Sequence, residues 1–146
     1  MHIKIQEITA EQTYDLRHIV MYPDLPFDYI KLPKDHEGVH FGVFKNNIIV
    51  TVVSLFIEGN SAQFRKLATA ESEQGNGYAS TLLNYIIAYS KERQCENMWC
   101  NARANKTSYY KKFGFIETNK TYAQAGIDFI VLEKVLSKKI TIDIQA

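Results

Sequence analysis

Apolar and polar residues alternate at the start of the chain, where Ile3 and Ile5 interleave with Lys4 and Gln6, so a half-buried strand is expected to end near Ile8. Thr9 stands three residues before Gln12, the spacing of a capping box, and the apolar positions Tyr14, Leu16, Ile19 and Val20 follow before Pro23 interrupts them. A first helix of about three turns is predicted there. Residues 22–38 hold Pro23, Pro26 and Pro33, the aromatics Tyr22, Phe27 and Tyr29, and the acids Asp24, Asp28, Asp35 and Glu37. That mixture predicts an irregular segment with at most one further helical turn.

Extended composition returns over 39–44, turns at Lys45-Asn46-Asn47, continues over 48–57, turns at Glu58-Gly59-Asn60 and comes back over 62–69. The centre of the chain is therefore an antiparallel meander. Ala79, Leu82, Leu83, Ile86 and Ile87 then fall at i, i+3, i+4, i+7 and i+8, the pattern of an amphipathic helix running to about Glu92. Met98 and Trp99 belong to a short strand, and residues 107–113 to a helix stopped by Gly114 at its C′ position. Phe115 opens another extended piece, and a last strand spans 127–132 behind Gly126. The alternation places this chain in the α/β class, with one domain over residues 1–136. Residues 137–146 form a tail in which Ile140, Ile142 and Ile144 alternate behind Lys138-Lys139, a pattern that fits an edge strand or a loose arm equally well.

Composition narrows the partners. The 146 residues carry 17 Lys+Arg against 16 Asp+Glu and are 46% hydrophobic, enough for one buried core and too balanced for the field that draws a protein to nucleic acid or to an anionic membrane. The apolar run over 48–53 is far shorter than the ~20 residues of a spanning helix, and the alternating N-terminus does not read as a secretory signal. A cytoplasmic protein is expected. Cys95 and Cys100 lie an odd number of positions apart, so on one strand they would face opposite sides and remain reduced thiols. No ligand cluster points to a metal.

The candidate chemistry begins at Gln74-Gly75-Asn76-Gly77-Tyr78-Ala79, between the third meander strand and the amphipathic helix. Two glycines permit positive φ and expose bare backbone, and the helix behind them offers unpaired N–H groups and a positive dipole end. These are the parts of an anion cradle, although an ordinary strand-to-helix turn uses glycines in the same way. No G-x-x-x-x-G-K-S/T is present, and the preceding strand belongs to a meander, so neither a P-loop nor a dinucleotide fingerprint fits.

Gln74-x-x-Gly77-x-Ala79 resembles the Q/R-x-x-G-x-G/A pyrophosphate loop of the GNAT superfamily of N-acetyltransferases, and Tyr110-Lys111-Lys112-Phe113-Gly114-Phe115 resembles its Y-x-K-x-G-F segment. Asn101-Ala102-Arg103 and Ala125-Gly126-Ile127 further resemble a small bacterial subgroup of these enzymes. The resemblance runs from the first strand to Leu136. It implies a GNAT-like fold: a mixed, mostly antiparallel central sheet with a splayed strand pair and flanking helices. It also implies acetyl-CoA as co-substrate and a primary amine, on a small molecule or a peptide, as acceptor. A homodimer is left open.

Carried over residue by residue, the resemblance assigns the pantetheine arm to the backbone of Leu67, Ala68 and Thr69. It assigns the pyrophosphate to the amides of Gln74, Gly75, Asn76, Gly77, Tyr78 and Ala79. Arg103 stands where many members have an asparagine touching the cofactor, and its guanidinium has reach for a phosphate or an acid. Tyr110 would protonate the departing CoA thiolate; periodicity alone fits Tyr109 or Tyr110 as core residues equally well. Tyr22, Phe27 and Tyr29 would meet the acceptor, with Asp24 and Asp28 suiting a cationic neighbour. Many relatives place a basic carboxylate on the central strands, where this chain has Arg65 and Lys66. His40 has a suitable ordinary pKa of ~6.5, and a hydrogen-bonded sheet-edge histidine is its alternative reading. A non-catalytic acyl-CoA-binding module is the competing function.

Overall fold

A computed structural model describes residues 2–136, so the expectations for the 137–146 tail lie outside the described residues. Seven strands form one sheet in the order β1-β2-β3-β4-β5-β7-β6, with β1 Ile3–Ile8, β2 Val39–Lys45, β3 Ile48–Glu58, β4 Ser61–Thr69, β5 Asn97–Arg103, β6 Ile116–Gln124 and β7 Ile127–Val135. Every neighbouring pair is antiparallel except β4 and β5. The fold is the mixed, mostly antiparallel α/β sheet that the sequence pattern and the resemblance predict.

The long helix α2 spans Tyr78–Glu92 and buries Leu82, Leu83, Ile86 and Ile87 against Phe41, Leu55, Phe64, Met98 and Leu132. Each such side chain contributes about 1.5–3 kcal/mol of burial. On the opposite face a smaller cluster joins Ile8, Val52 and Ala68 to Leu16, Val20 and Met21 of the first helical region. The short helix α3, Thr107–Lys111, is followed by Gly114 at φ +92°, where an added Cβ would lie 2.6 Å from Lys134 Nζ. Among the described residues no helix is long and apolar enough to cross a membrane.

The first helical region departs from a regular helix. Its capping box forms reciprocally: the Thr9 amide donates to Gln12 Oε1 at 2.8 Å, and the Gln12 amide donates to Thr9 Oγ1 at 3.2 Å. The chain then passes from a 3₁₀ turn, Glu11–Thr13, through a single α turn, α1 (Tyr14–Leu16), into a π-helical turn, Arg17–Met21. The widening rotates the buried face. Ile19, expected inside, is 67% exposed, while Arg17 is 0% exposed. The segment that follows contains two 3₁₀ turns, Phe27–Ile30 and Asp35–Glu37, one more than expected.

Arg17 is tolerated in the interior because its charge is met. Its guanidinium forks onto Asp35 through two 2.8 Å bonds, donates to the Ile30 carbonyl at 3.1 Å and to Ser54 Oγ at 2.7 Å. His40 completes the network with Nδ1 2.7 Å from Ser54 Oγ and Nε2 2.7 Å from the Asp35 carbonyl. A carbonyl only accepts, so Nε2 carries the proton and Nδ1 accepts from the serine hydroxyl. Burial pushes the Asp35 carboxyl up, yet the Arg17 bonds and the Leu32 amide outweigh it and hold the group below its ordinary range. Burial also drives His40 down, with the Arg17 charge adding to it against the Asp35 carbonyl, and the ring stays neutral.

This network ties the irregular 22–38 segment to the sheet, so breaking it should unfold more than a surface contact would. Asp35→Asn is expected to lower the unfolding free energy in urea by about 3–5 kcal/mol, because it leaves the Arg17 charge buried and unpaired. Both titrations point to acid sensitivity. The depressed Asp35 carboxyl contributes stability above its unfolded pKa of 3.8 and loses it as pH falls through the lower folded value. Below 6.5 the unfolded chain takes up a proton at His40 that the folded chain refuses, so stability drops there as well. Unfolding free energy should therefore fall from about pH 7 to pH 5.5, and His40→Gln should flatten that slope.

Candidate active-site cleft

β4 and β5 run parallel and pair only at Ser61↔Asn97, Ala62↔Met98 and Gln63↔Trp99; beyond Gln63 they diverge. A bulge sharpens the departure. Ser54 of β3 faces Arg65 and Val52 faces Ala68, so Lys66 and Leu67 together oppose Val53, and Lys66 takes φ +57°. The extra residue has no ladder partner and the strand bends away from its neighbour. A cleft of about 930 Å³ opens between the separated strands, walled by Leu67, Ala68 and Thr69 on one side and Cys100, Asn101, Ala102 and Arg103 on the other.

One end of the cleft is the glycine loop. Gly75 and Gly77 have φ +84° and +83°, and an added Cβ at either would meet no protein atom within 4 Å, so backbone conformation and not crowding calls for glycine. Gly77 is the N-cap of α2. Among the described residues the N–H groups of residues 75–80 find no backbone acceptor, while Thr81 is the first to bond back, to the Gly77 carbonyl at 3.0 Å. Gln74 ties the loop to the strand by donating Nε2 to the Thr69 carbonyl at 3.0 Å. Its amide therefore does not depend on charge to shape the loop. The free amides and the dipole of a 15-residue helix give this end the chemistry that suits an anion.

Tyr110 stands near the middle, held among Phe64, Tyr109 and Phe115 with ring centroids 5.7, 5.3 and 6.3 Å away. Burial raises its pKa above the ordinary 10, helped by Cys100 and Tyr109 and opposed by Arg103, so the phenol stays protonated through the neutral range. Tyr109 instead spends its hydroxyl on Ser80 Oγ at 2.8 Å. The structure thus separates two tyrosines that periodicity does not. Cys100 is 2% exposed and burial pushes its thiol up to about 12, which leaves no thiolate for nucleophilic use. Cys95 precedes β5 and is also buried and free, so the opposite-face argument for the pair does not apply, although neither forms a disulfide.

The other end lies beneath the 22–38 segment and beside the β6–β7 hairpin. Tyr22, Tyr29, Arg65, Lys66, Tyr122 and Phe129 line it. Lys66 donates Nζ to Tyr22 OH at 3.0 Å and sits 4.6 Å from the centroid of that ring. Phe27 is outside the lining: its ring packs edge-on against Tyr14 and His18. Asn76 also stands outside it, with its side chain 3.5 Å from Glu73 Oε2. Asp24 and Asp28 do not reach the cleft, and Asp28 pairs with Lys31 at 2.9 Å. His40 is tied up in the Arg17 network and is absent from the walls. Sequence reasoning missed Asn101, Lys106 and the inward turn of Lys66, because a positive φ at a lysine has no signature in composition.

Both cysteines should resist modification in the folded state. A chromogenic aryl disulfide at pH 8 is expected to titrate two thiols per chain only on unfolding, with native reaction slower by about 100-fold or more.

Comparison with known proteins fits this geometry. Residues 6–136 match the model of the acetyltransferase (GNAT) domain. The chain is 30% identical over 144 residues to the uncharacterized N-acetyltransferase YitI of Bacillus subtilis (strain 168), covering 92% of this chain and 97% of that protein. Its fold is similar to that of an acyl-CoA N-acyltransferase from Pseudomonas aeruginosa (TM-score 0.79, 13% identity, 92% of this chain and all of the other). It is also similar to a GNAT family acetyltransferase from Elizabethkingia anophelis with acetyl-CoA bound (TM-score 0.71, 21% identity, 91% and 97%). With a domain match that leaves only the first residues and the tail uncovered, the chain belongs to the GNAT family of N-acetyltransferases.

Proposed function

We propose that the protein moves an acetyl group from acetyl-CoA to a primary amine by direct attack, with no acyl-enzyme. The observation that carries this reading is the run of unpartnered amides at residues 75–80, set at the mouth of a cleft between separated parallel strands. A diphosphate supplies acceptors for those amides, and the amide-bearing pantetheine arm supplies partners for the open edge of β4 at Leu67, Ala68 and Thr69. Arg103 and Lys106 add positive charge along the same wall, suited to a polyanionic cofactor.

In this reading the neutral amine attacks the thioester carbonyl carbon. A β4 N–H near the bulge stabilises the oxyanion that develops. As the tetrahedral adduct collapses the C–S bond breaks, and the sulfur takes the phenolic proton of Tyr110. The amine nitrogen loses its proton to water in the open cleft, and solvent restores Tyr110. Buried cysteines with raised pKa values argue against a thiol relay.

Free-thiol release from acetyl-CoA across a panel of amines tests the scheme. Tyr110→Phe is expected to lower kcat by about 10²–10⁴-fold while cofactor affinity changes little. Because burial raises the Tyr110 pKa, the wild-type rate should show no falling alkaline limb from this group up to about pH 10. Unchanged turnover in Tyr110→Phe would remove the phenol from the mechanism.

A further inference from the structure

The acceptor end of the cleft has an unbalanced charge. Lys66 is turned inward by its bulge and meets only the Tyr22 hydroxyl and ring, and among the described residues neither Lys66 nor Arg65 has a carboxylate within 4.0 Å. Glu73, the acid on the cleft wall, sits at the loop end and is neutralised by Lys45 through 3.1 Å contacts. Four aromatic rings line this end with the two cations: Tyr22 meets Tyr29 edge-on at 5.1 Å, and Tyr122 stacks on Phe129 at 5.2 Å with 14° between planes. Tyr22, Arg65 and Tyr122 all line the same cleft, which brings the two walls to one chamber.

We propose that the acceptor is a small primary amine that also carries a carboxylate, held by Lys66 and Arg65, with an apolar or aromatic body between Tyr22, Tyr29, Tyr122 and Phe129. The assignment rests on the acetyltransferase reading and names its substrate class. A cationic polyamine would add charge to a site that already holds two uncompensated cations, and a neutral amine would leave Lys66 as it stands. A carboxylate supplies the counter-charge that this half-buried ammonium lacks. Burial lowers the Lys66 pKa, with Arg65 and Arg17 adding to the shift against the Tyr22 hydrogen bond, in keeping with a cation short of an anionic partner. The reading replaces the expectation that Asp24 and Asp28 would receive a cationic acceptor.

The test uses matched pairs: each proteinogenic amino acid and the amine left when its α-carboxyl group is removed. Calorimetry on the CoA-loaded full chain measures binding, and thiol release with acetyl-CoA measures transfer. The account expects at least one carboxylate-bearing member to bind about tenfold or more tightly than its decarboxylated partner. Lys66→Met should erase that preference by raising KM for the acid while leaving KM for the decarboxylated amine nearly unchanged; Arg65→Met should do so in part. Equal or tighter binding of the decarboxylated member in every pair, or no binding by any compound, overturns the proposal. So does a Lys66→Met variant that weakens both members alike. A carboxylate preference in calorimetry without acetyl transfer to any amine supports this inference and overturns the catalytic reading instead.

Discussion

The parting of β4 from β5 is the constraint on which the rest of the molecule depends. Three residue pairs hold the strands together at one end, and a bulge at Lys66 and Leu67 turns β4 away at the other. A sheet interrupted in this way exposes backbone donors and acceptors that the interior of a sheet would consume. The cost is bounded because the strands on either side keep their outer partners: β5 pairs with β7 along its whole length, and β3 pairs with β4 on both sides of the bulge. α2 and its apolar face close the base of the gap, while its N-terminus reaches the mouth. The cleft is thus a property of the sheet and not of a flexible loop.

A second constraint holds the roof. The 22–38 segment has few regular backbone bonds, and its position is fixed by Asp35 reaching down to Arg17 and by His40 rising from β2 to the Asp35 carbonyl. The π-helical turn that carries Arg17 is what turns that side chain inward. Buried pairs of this kind add little net stability over an apolar replacement, but they define a single arrangement when all members are satisfied. Here Arg17 Nε alone lacks a partner among the buried guanidinium nitrogens. The consequence is that Tyr22 and Tyr29 are delivered to one end of the cleft by a network that stands outside its walls.

Much of this was legible in the chain. The alternation of β1, the meander, the i, i+3, i+4 pattern of α2 and the glycine stops each express a local rule, and local rules are written in consecutive residues. The Gln74–Ala79 loop was legible for the same reason: two glycines before a strong helix prescribe bare amides. What escaped depended on partners far along the chain. Ile19 reads as core in the apolar spacing, whereas the π-helical turn leaves it exposed and buries Arg17, whose carboxylate partner lies 18 positions away. Lys66 reads as an ordinary strand residue, since a one-residue mismatch between β3 and β4 is visible only in their register. Phe27 belonged to the right segment, but the first 3₁₀ turn directs it outward onto Tyr14 and His18.

The central claim is that main-chain amides beside a parted strand pair grip the diphosphate of coenzyme A. Amide chemical shifts of the full chain, followed as coenzyme A is added, test it most directly. The account predicts that the largest changes fall on the N–H groups of Gly75, Gly77, Tyr78 and Ala79, with a second set on Leu67 to Thr69. Saturable binding that leaves those resonances in place, or no binding at all, would contradict it.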